Sequence, residues 1–447
     1  MYRKKIAIIG SGITGLASAW LLHQQYDVTL FEKDNYIGGH THTIEVSEAD
    51  RTVPVDTGFI VYNERNYPNL IGLFAQLGIA TRETDMSFAF SLNQGELEYA
   101  GSNLDTLFAQ RKNVFNPRHW RLISEIMRFN KVAHQLLADS ATLPDLSLGE
   151  MLDAHRFSRD MREHYLLPMG AAIWSCPVDT MLTFPALSFL RFFANHGLID
   201  LRNRPLWRTV CGGSSFYVRK LLAEMGDKIT TQSGAIRVER NDTHARVFTD
   251  ATQFDFDAVI FACHADQALA LLAQPSPAEQ RILSCFRYEK NRTYLHTDAR
   301  LMPVNRKVWS SWNYLATSQP EHAHARQQMT ATYWMNNLQG LDTTTDYFVT
   351  LNPYALPRDE NIITEMTYEH PIFDQAAGAA QPQLTSLQGQ QHSWFCGSYH
   401  RYGFHEDAIA SAVKVCEDFG ITPVWVKAQE TTPQPVLPVS IAGAITP

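Results

Sequence analysis

The chain has 447 residues, 45% of them hydrophobic and 19% charged, which is enough to bury two or three domain-sized cores or one large interleaved fold. Its net charge of −8, with no long Lys/Arg block, argues against a nucleic-acid partner, because such a surface needs a basic face. Six scattered cysteines without a C-x-x-C pair, and seventeen histidines without an H-E-x-x-H arrangement, point away from a disulfide framework and a metal site and toward reduced thiols in a cytoplasmic protein.

Residues 6–9 form a continuous apolar run, as expected of a parallel strand covered on both faces. Behind a glycine turn, Ile13, Leu16, Ala17, Trp20 and Leu21 recur at helical spacing, and Asp27–Glu32 reads as a second strand. The opening is therefore a β-α-β unit. A secretory leader does not fit, because Gly10 and Gly12 interrupt the apolar run and no small-residue cleavage site follows. Residues 67–77 are predicted helical, with Gly78 as the cap. Phe88, Phe90 and Leu92 alternate into an Asn93-Gln94-Gly95 turn and return through Leu97 and Tyr99, a hairpin. Residues 118–195 read as mostly helical, and Gly212-Gly213-Ser214 opens another helix that ends near Gly226. Short strands are expected at 229–231 and 235–239, and a buried parallel strand at 257–262. Residues 286–296 and 328–351, rich in Tyr, Trp and Thr, are predicted to be antiparallel strands. A short strand at 394–397 leads to a helix over 405–419, stopped by Gly420 and Pro423. The tail from 424 has several prolines and little periodicity, so it is expected to be extended or disordered. No uninterrupted apolar stretch has the length of a membrane span.

Parallel-strand signals thus occur at the start, the middle and the end, with helices and hairpins between them. The expected fold class is α/β with α+β character. A Rossmann-like, nucleotide-binding domain would be assembled from 1–85, 205–275 and 385–423. A substrate-binding domain of antiparallel sheet plus helices would be inserted as 86–204 and 276–384, followed by a tail over 424–447.

Gly10-Ser11-Gly12-Ile13-Thr14-Gly15 fits G-x-G-x-x-G in the setting that gives the motif meaning, after a strand and at the start of a helix. Gly10 permits the turn, Gly12 lets backbone approach a pyrophosphate, and Gly15 lets helix pack on strand. The helix N-terminus offers free N–H groups to phosphates, and Glu32 is placed to accept hydrogen bonds from a ribose. That fingerprint serves FAD and NAD alike.

The continuation, Glu32-Lys33-Asp34-Asn35-Tyr36-Ile37-Gly38-Gly39-His40-Thr41, resembles the E-x-x-x-x-x-G-G-R-T segment of the flavin amine oxidase superfamily, which includes protoporphyrinogen oxidases and phytoene-type desaturases. The resemblance implies FAD, with Gly38, Gly39, His40 and Thr41 against its diphosphate and ribityl chain; His40 stands where the family has Arg. Asp56-Thr57-Gly58-Phe59-Ile60 is similar to the segment beside the isoalloxazine ring, and Ala235 aligns with a backbone contact to adenine. Gly397-Ser398 and Gly403-Phe404-His405-Glu406-Asp407-Ala408 resemble the closing flavin motif, with Tyr399 where an acidic residue is usual. A helix beginning near His405 would aim its positive end at the flavin N1 and C2 carbonyl, where the reduced ring is anionic. Glu406 and Asp407 equally suit an ordinary first helical turn.

Segments around Tyr294, Trp309, Tyr333 and Tyr402 are similar to a bacterial branch of FAD/NAD-binding proteins and to the N-terminal region of plant cyclopropane fatty-acid synthases, which implies a substrate related to unsaturated or methylated acyl chains. Trp309, Trp312, Tyr314, Tyr333, Trp334 and Met335 suit either the lining of an acyl-chain pocket or a packed sheet core. Lys290 aligns with a lysine that holds a water near flavin N5 in the amine oxidases; the alternative is an exposed lysine. His296 and His405 are candidate general bases or structural histidines. The expected reaction is oxidation or desaturation of a hydrophobic small-molecule or lipid substrate by hydride transfer to flavin N5. The alternatives are a peroxide-producing amine oxidase and a non-catalytic flavoprotein partner of a lipid-modifying methyltransferase. Transient membrane-surface contact fits a lipid substrate, although no strongly basic amphipathic helix demands it.

Overall fold

The strand Lys5–Ile9 is buried at every position after Lys5 because its two faces enter two different cores. Ile6 and Ile8 pack with Ile13, Leu16, Ile409 and Ala412, whereas Ala7 and Ile9 pack with Val238, Val247 and Phe256. In the computed structural model, which describes residues 3–139, 145–200, 202, 204–317 and 330–431, this strand is the centre of a five-stranded sheet. The order is Ile229–Ser233, Asp27–Glu32, Lys5–Ile9, Ala258–Phe261 and Ser393–Phe395, parallel throughout. Helices Ile13–Leu22 and His405–Asp418 cover one face. A three-stranded antiparallel sheet, Arg237–Arg240, Ala245–Phe248 and Gln253–Phe256, covers the other.

A second, seven-stranded sheet runs Ile362–Ile372, Arg287–His296, Phe348–Leu351, Ala331–Trp334, Trp312–Ala316, Phe88–Leu92 and Leu97–Ala100. Its 88–100 hairpin turns through Asn93 and Gln94 at φ near +50° and Gly95 at +111°. Helices Pro117–Ala138, Leu167–Trp174 and Ala186–Asn195 pack with this sheet in one large core. Several elements depart from the sequence reading, among them the strands Thr43–Glu48, Arg51–Asp56 and Trp312–Ala316, which were not anticipated. The expected strand over 328–351 is two strands separated by the helix Met335–Leu338, and residues 328 and 329 lie outside the described residues. The edge strand Ile362–Ile372 was not anticipated. The tail is not extended where it begins: Val424–Thr431 is a helix whose Trp425 stacks on Trp20 at 6.1 Å and fills the notch left by Gly72. Residues 432–447 lie outside the described residues. Among the described residues no helix is long and apolar enough to cross a membrane.

The interior carries several titratable groups whose charged forms burial disfavours. Burial pushes His196, His296 and His400 down to about 4, His40 likewise, and His370 and His405 well below the ordinary value. Burial pushes Asp56 and Asp407 up to about 6, and Glu406 up to about 7. The two sets act in opposite senses. The histidines contribute stability that is present above pH 6.5 and lost as pH falls toward 4. The carboxylates contribute stability that is present below their unfolded values and lost as pH rises through 6 to 7. Six depressed histidines outweigh three raised carboxylates, so acidification from pH 7 to 5 is expected to lower the Tm by on the order of 10 °C. A thermal-shift series from pH 4.5 to 8 checks this, with His296→Gln giving a shallower acid limb; a Tm that rises on acidification contradicts it.

Candidate functional site

The glycine turn after Lys5–Ile9 packs backbone on backbone. Gly10 sits at φ +105°, and a Cβ there would lie 2.8 Å from the Ala262 carbonyl oxygen. A Cβ on Gly15 would fall 1.9 Å from the Gly10 oxygen, so helix and strand meet with no side chain between them. Gly12 is the opposite case: nothing lies within 4 Å of its Cβ position. It precedes the helix Ile13–Leu22, whose first-turn N–H groups therefore begin at an open cleft. Glu32 is fixed at the rim, where its Oε2 accepts from the Ser11 N–H at 2.9 Å and from the Ser11 hydroxyl at 2.5 Å. Its Oε1 accepts from the Asp34 N–H at 2.9 Å. Two further close approaches complete the frame. A Gly39 Cβ would be 3.1 Å from Gly12 Cα, and a Gly58 Cβ would be 2.2 Å from the His40 oxygen.

These segments line one cavity of about 1560 Å³ at the carboxyl ends of the parallel strands, larger than the roughly 300–1,000 Å³ of a single small-ligand pocket. Its first arm runs from Glu32, Lys33 and Ala235 past Gly10, Ser11, Gly12, Ile13 and Thr14 to Gly39 and His40. It continues beside Gly58, Phe59 and Ile60, then Gly397 and Ser398, and reaches Gly403, Phe404, His405 and Ala408. Four expected cofactor residues do not line it. Gly15 is sealed against Gly10. Gly38 is buried, its N–H donating to the Ser11 hydroxyl at 3.2 Å. Thr41 lies beneath the surface, where its hydroxyl meets Tyr217 Oη and His405 Nε2. Glu406 turns away and accepts from the N–H groups of Asn69 and Leu70 at 3.0 Å, at the start of the helix Pro68–Leu77.

His40 is ringed by Tyr368 and His370, centroids 5.2 and 5.1 Å away, with His264 at 6.5 Å, and its buried Nε2 has no partner within the protein. Tyr368 and His370 escaped the sequence reading because they sit on the strand Ile362–Ile372, whose alternating Thr, Met and Tyr positions were the available signal. Lys290 faces Glu369 across the same strand pair; its Nζ is 3.6 Å from that carboxylate and its side chain is 76% exposed, although the residue lines the cavity. His296, on the same strand as Lys290, is fully buried and outside the cavity lining. Its Nε2 is 2.7 Å from the Thr350 hydroxyl and its Nδ1 accepts from the Asp298 N–H, so it is a structural histidine rather than a base facing the cavity. His405 lines the cavity, stacked on Phe59 at 3.7 Å and held through Nε2 by Thr41 and Tyr217.

A second arm is apolar. Leu107, Ile123, Ile126 and Met127 form one wall and Met169, Ile173 and Trp174 another, converging on Phe373, Tyr402 and Phe404 where the arms join. Of the aromatic residues expected here, Trp312 and Tyr333 line it. Tyr314 instead stacks on Phe90 and Met335 is fully buried, both in the sheet core, while half-buried Trp309 packs edge-on against Trp334 and Phe348 away from this cavity. Asn130 also lines the arm, and its buried Oδ1 lacks a partner. The open side of Gly12, the fixed Glu32 carboxylate and the unpartnered His40 fit an elongated dinucleotide such as FAD, and the second arm leaves room for a substrate.

The two kinds of glycine separate cofactor binding from folding. Gly12→Val is expected to leave the Tm of the apoprotein within a few degrees of wild type while abolishing flavin retention, since its side chain enters the cleft. Gly58→Ala is expected to destabilise the fold by roughly 2–4 kcal/mol, since the His40 backbone must move. Flavin absorbance after gel filtration, with Tm measured on apoprotein, reads both; equal Tm losses in the two variants would contradict the assignment.

Residues 13–309, well over half of the chain, match the sequence profile of the family described as flavin containing amine oxidoreductase. A protein of Mycobacterium tuberculosis named as a flavin-containing monoamine oxidase is 25% identical over 285 residues, which cover 62% of this chain and 61% of that relative's length. The chain thus spans about six-tenths of the curated relative it matches. Among solved structures, a putrescine oxidase triple mutant superposes with a TM-score of 0.66 at 16% identity, covering 93% of this chain and 98% of the other. A CLA-producing fatty acid isomerase from P. acnes superposes at 0.63 with 16% identity, covering 94% and 99%. At such identities the likeness concerns the fold. The profile match, which covers well over half of the chain, shows that it belongs to the flavin-containing amine oxidoreductase family, whose cofactor is FAD.

Proposed function

We propose that the protein uses FAD to oxidise a hydrophobic, chain-like substrate, an acyl chain or a lipid bearing one, held in the apolar arm of the cavity. The observation that carries this reading is the composition of that arm: apart from Asn130, its lining from Leu107 to Trp174 is aliphatic and aromatic, and it belongs to the same cavity as the dinucleotide arm. A shared fold with a fatty acid isomerase supports it, as does the resemblance of several segments to the N-terminal region of plant cyclopropane fatty-acid synthases.

When bound, FAD supplies the acceptor for an electron pair at its N5. The chain's own residues bind, orient and dry the substrate. Phe373 and Phe404 border the junction; Phe404 packs on Phe192 at 4.9 Å, and the Trp174 indole N–H holds the Tyr402 carbonyl at 3.0 Å. This wall excludes water from the reacting carbon. The helix His405–Asp418 begins at the same junction, and its positive end favours negative charge arriving there. Desaturation would pass a hydride from one carbon to the flavin and a proton from the next to a base in the cavity, for which the uncharged, unpartnered His40 Nε2 is available, leaving a double bond. His40, His370 and His405 are kept uncharged by burial, so they can take part in hydrogen bonds without repelling a developing positive centre.

A second reading, amine oxidation, is favoured by Asp85, which lines the cavity and accepts from Asn337 at 2.8 Å. A carboxylate there would suit an ammonium, and relatives named as monoamine and putrescine oxidases share the family or the fold. Anaerobic bleaching of the flavin separates the two: acyl lipids are expected to bleach it, and polyamines and aromatic amines are not. Ile126→Trp, which narrows the apolar arm, is expected to raise KM for long chains about tenfold and leave short-chain turnover near wild type. Bleaching by amines alone, or a KM change that is blind to chain length, would replace the acyl reading with the amine one.

A further inference from the structure

The outer end of the apolar arm emerges on a surface that is itself apolar. Phe115, at the end of the short 3-10 turn Arg111–Phe115, is 89% exposed, and Trp120, on the first turns of the helix Pro117–Ala138, is 50% exposed. Met127, two turns further along the same helix face, is 46% exposed and also lines the cavity. Rings of this size cost free energy when left in water, and a contiguous group of them marks a contact surface.

The charge around these residues is opposite to that of the whole chain. Residues 104–131 contain six Lys/Arg against two Asp/Glu, in a protein whose net charge is −8. The two acids are already engaged: Asp105 pairs with Arg111 and Lys307, and Glu125 is buried against Ser158 and Arg128. Arg118 is paired with Asp160 from outside the segment. Lys112, Arg121 and Lys131 have no ion pair among the described residues and are exposed. Exposed Phe115 and Trp120 close in sequence to Lys112, Arg121 and Lys131, which make no ion pair among the described residues, match the interface of an anionic bilayer, where Trp and Phe enter the headgroup boundary and cations meet lipid phosphates. A protein partner would find the same apolar residues, but the arm opening among them at Met127 connects this surface to a cavity suited to a chain.

We propose that the 104–131 surface docks on anionic membranes, with Phe115 and Trp120 inserted and Lys112 and Arg121 on the headgroups, so that the Met127 opening faces the lipid. That a substrate passes through this opening rests on the acyl-chain reading above; the docking itself does not.

The flavin-loaded full chain is sedimented with vesicles of phosphatidylcholine, with and without phosphatidylglycerol. Wild type is expected to bind the anionic vesicles at least tenfold more tightly than the neutral ones, and less tightly as salt is raised. Phe115→Ser, which removes a side chain with little packing to lose, is expected to weaken binding about tenfold at unchanged Tm. The double variant Lys112→Glu/Arg121→Glu is expected to abolish the preference for phosphatidylglycerol. No binding to anionic vesicles, or variants that bind as wild type does, overturns the proposal. So does a concentration-dependent dimer that Phe115→Ser dissolves in a protein that ignores vesicles, because the surface would then be an interface between copies of this chain. Flavin bleaching by a detergent-dispersed acyl substrate is read separately, so its failure removes the acyl reading and leaves the docking result standing.

Discussion

The structure depends on backbone approaching backbone at a few glycines. Gly15 against Gly10 and Gly58 against His40 leave no space for a side chain, and Gly39 against Gly12 leaves very little, the latter two contacts joining segments well separated in the chain. Together they draw the first strand, the first helix, the 32–42 loop and the 56–60 segment into one rim. A packed rim of this kind would ordinarily leave polar backbone unsatisfied. Here the Glu32 carboxylate and Ser11 hydroxyl take up the N–H groups of Ser11, Asp34 and Gly38. What stays open is the start of the first helix at Gly12, so the same packing that closes the fold exposes an anion-binding end.

The other end of the chain is fastened by acids that never reach the cavity. Glu406 accepts from Asn69 and Leu70 at the N-terminus of one helix while sitting in the first turn of another, so a single carboxylate answers two positive helix ends. Asp407 accepts from the Tyr402 and Phe404 N–H groups and shapes the turn before its own helix. Burial raises both acids, and the hydrogen bonds they accept pull the other way. With these two residues facing inward, helical geometry leaves Phe404, His405 and Ala408 on the cavity side. Asp56 does comparable work between the layers, accepting from the Ser214 N–H and hydroxyl while its own N–H donates to Gln339 near the second sheet.

This division explains what could and could not be read in the sequence. The turn at Gly10, the acid at Glu32, the paired glycines and the closing helix are local signals, and their order along the chain already implied a cleft built from both ends. Within each motif, however, consecutive residues point in different directions. Gly39 and His40 line the cavity while their neighbours Gly38 and Thr41 turn away, and Glu406 turns away between His405 and Ala408. Motif likeness carries no such direction; packing does. The second sheet was harder, because alternation separates two faces of a strand without saying which face meets a cavity. Trp312 and Tyr333 fell on the cavity side and Trp309 and Trp334 on the other. His296 was attractive as a base only while its neighbours were unknown; next to Thr350 and the Asp298 N–H its hydrogen-bonding capacity is already spent.

The contrast between the arms constrains what can bind in the second one. The dinucleotide arm offers fixed backbone and the Glu32 carboxylate, whereas the apolar arm offers dispersion contacts and a dry wall. An acyl chain taken from water would gain the full hydrophobic effect on entry. Taken from a bilayer it exchanges one apolar surrounding for another, and that gain largely cancels. Selectivity would then rest on shape and on the few polar groups along the path, of which Asn130 is the clearest, since its buried Oδ1 has no partner until a ligand supplies one. A chain carrying a hydrogen-bond donor at that depth would relieve a cost the free protein bears, and a plain hydrocarbon would not.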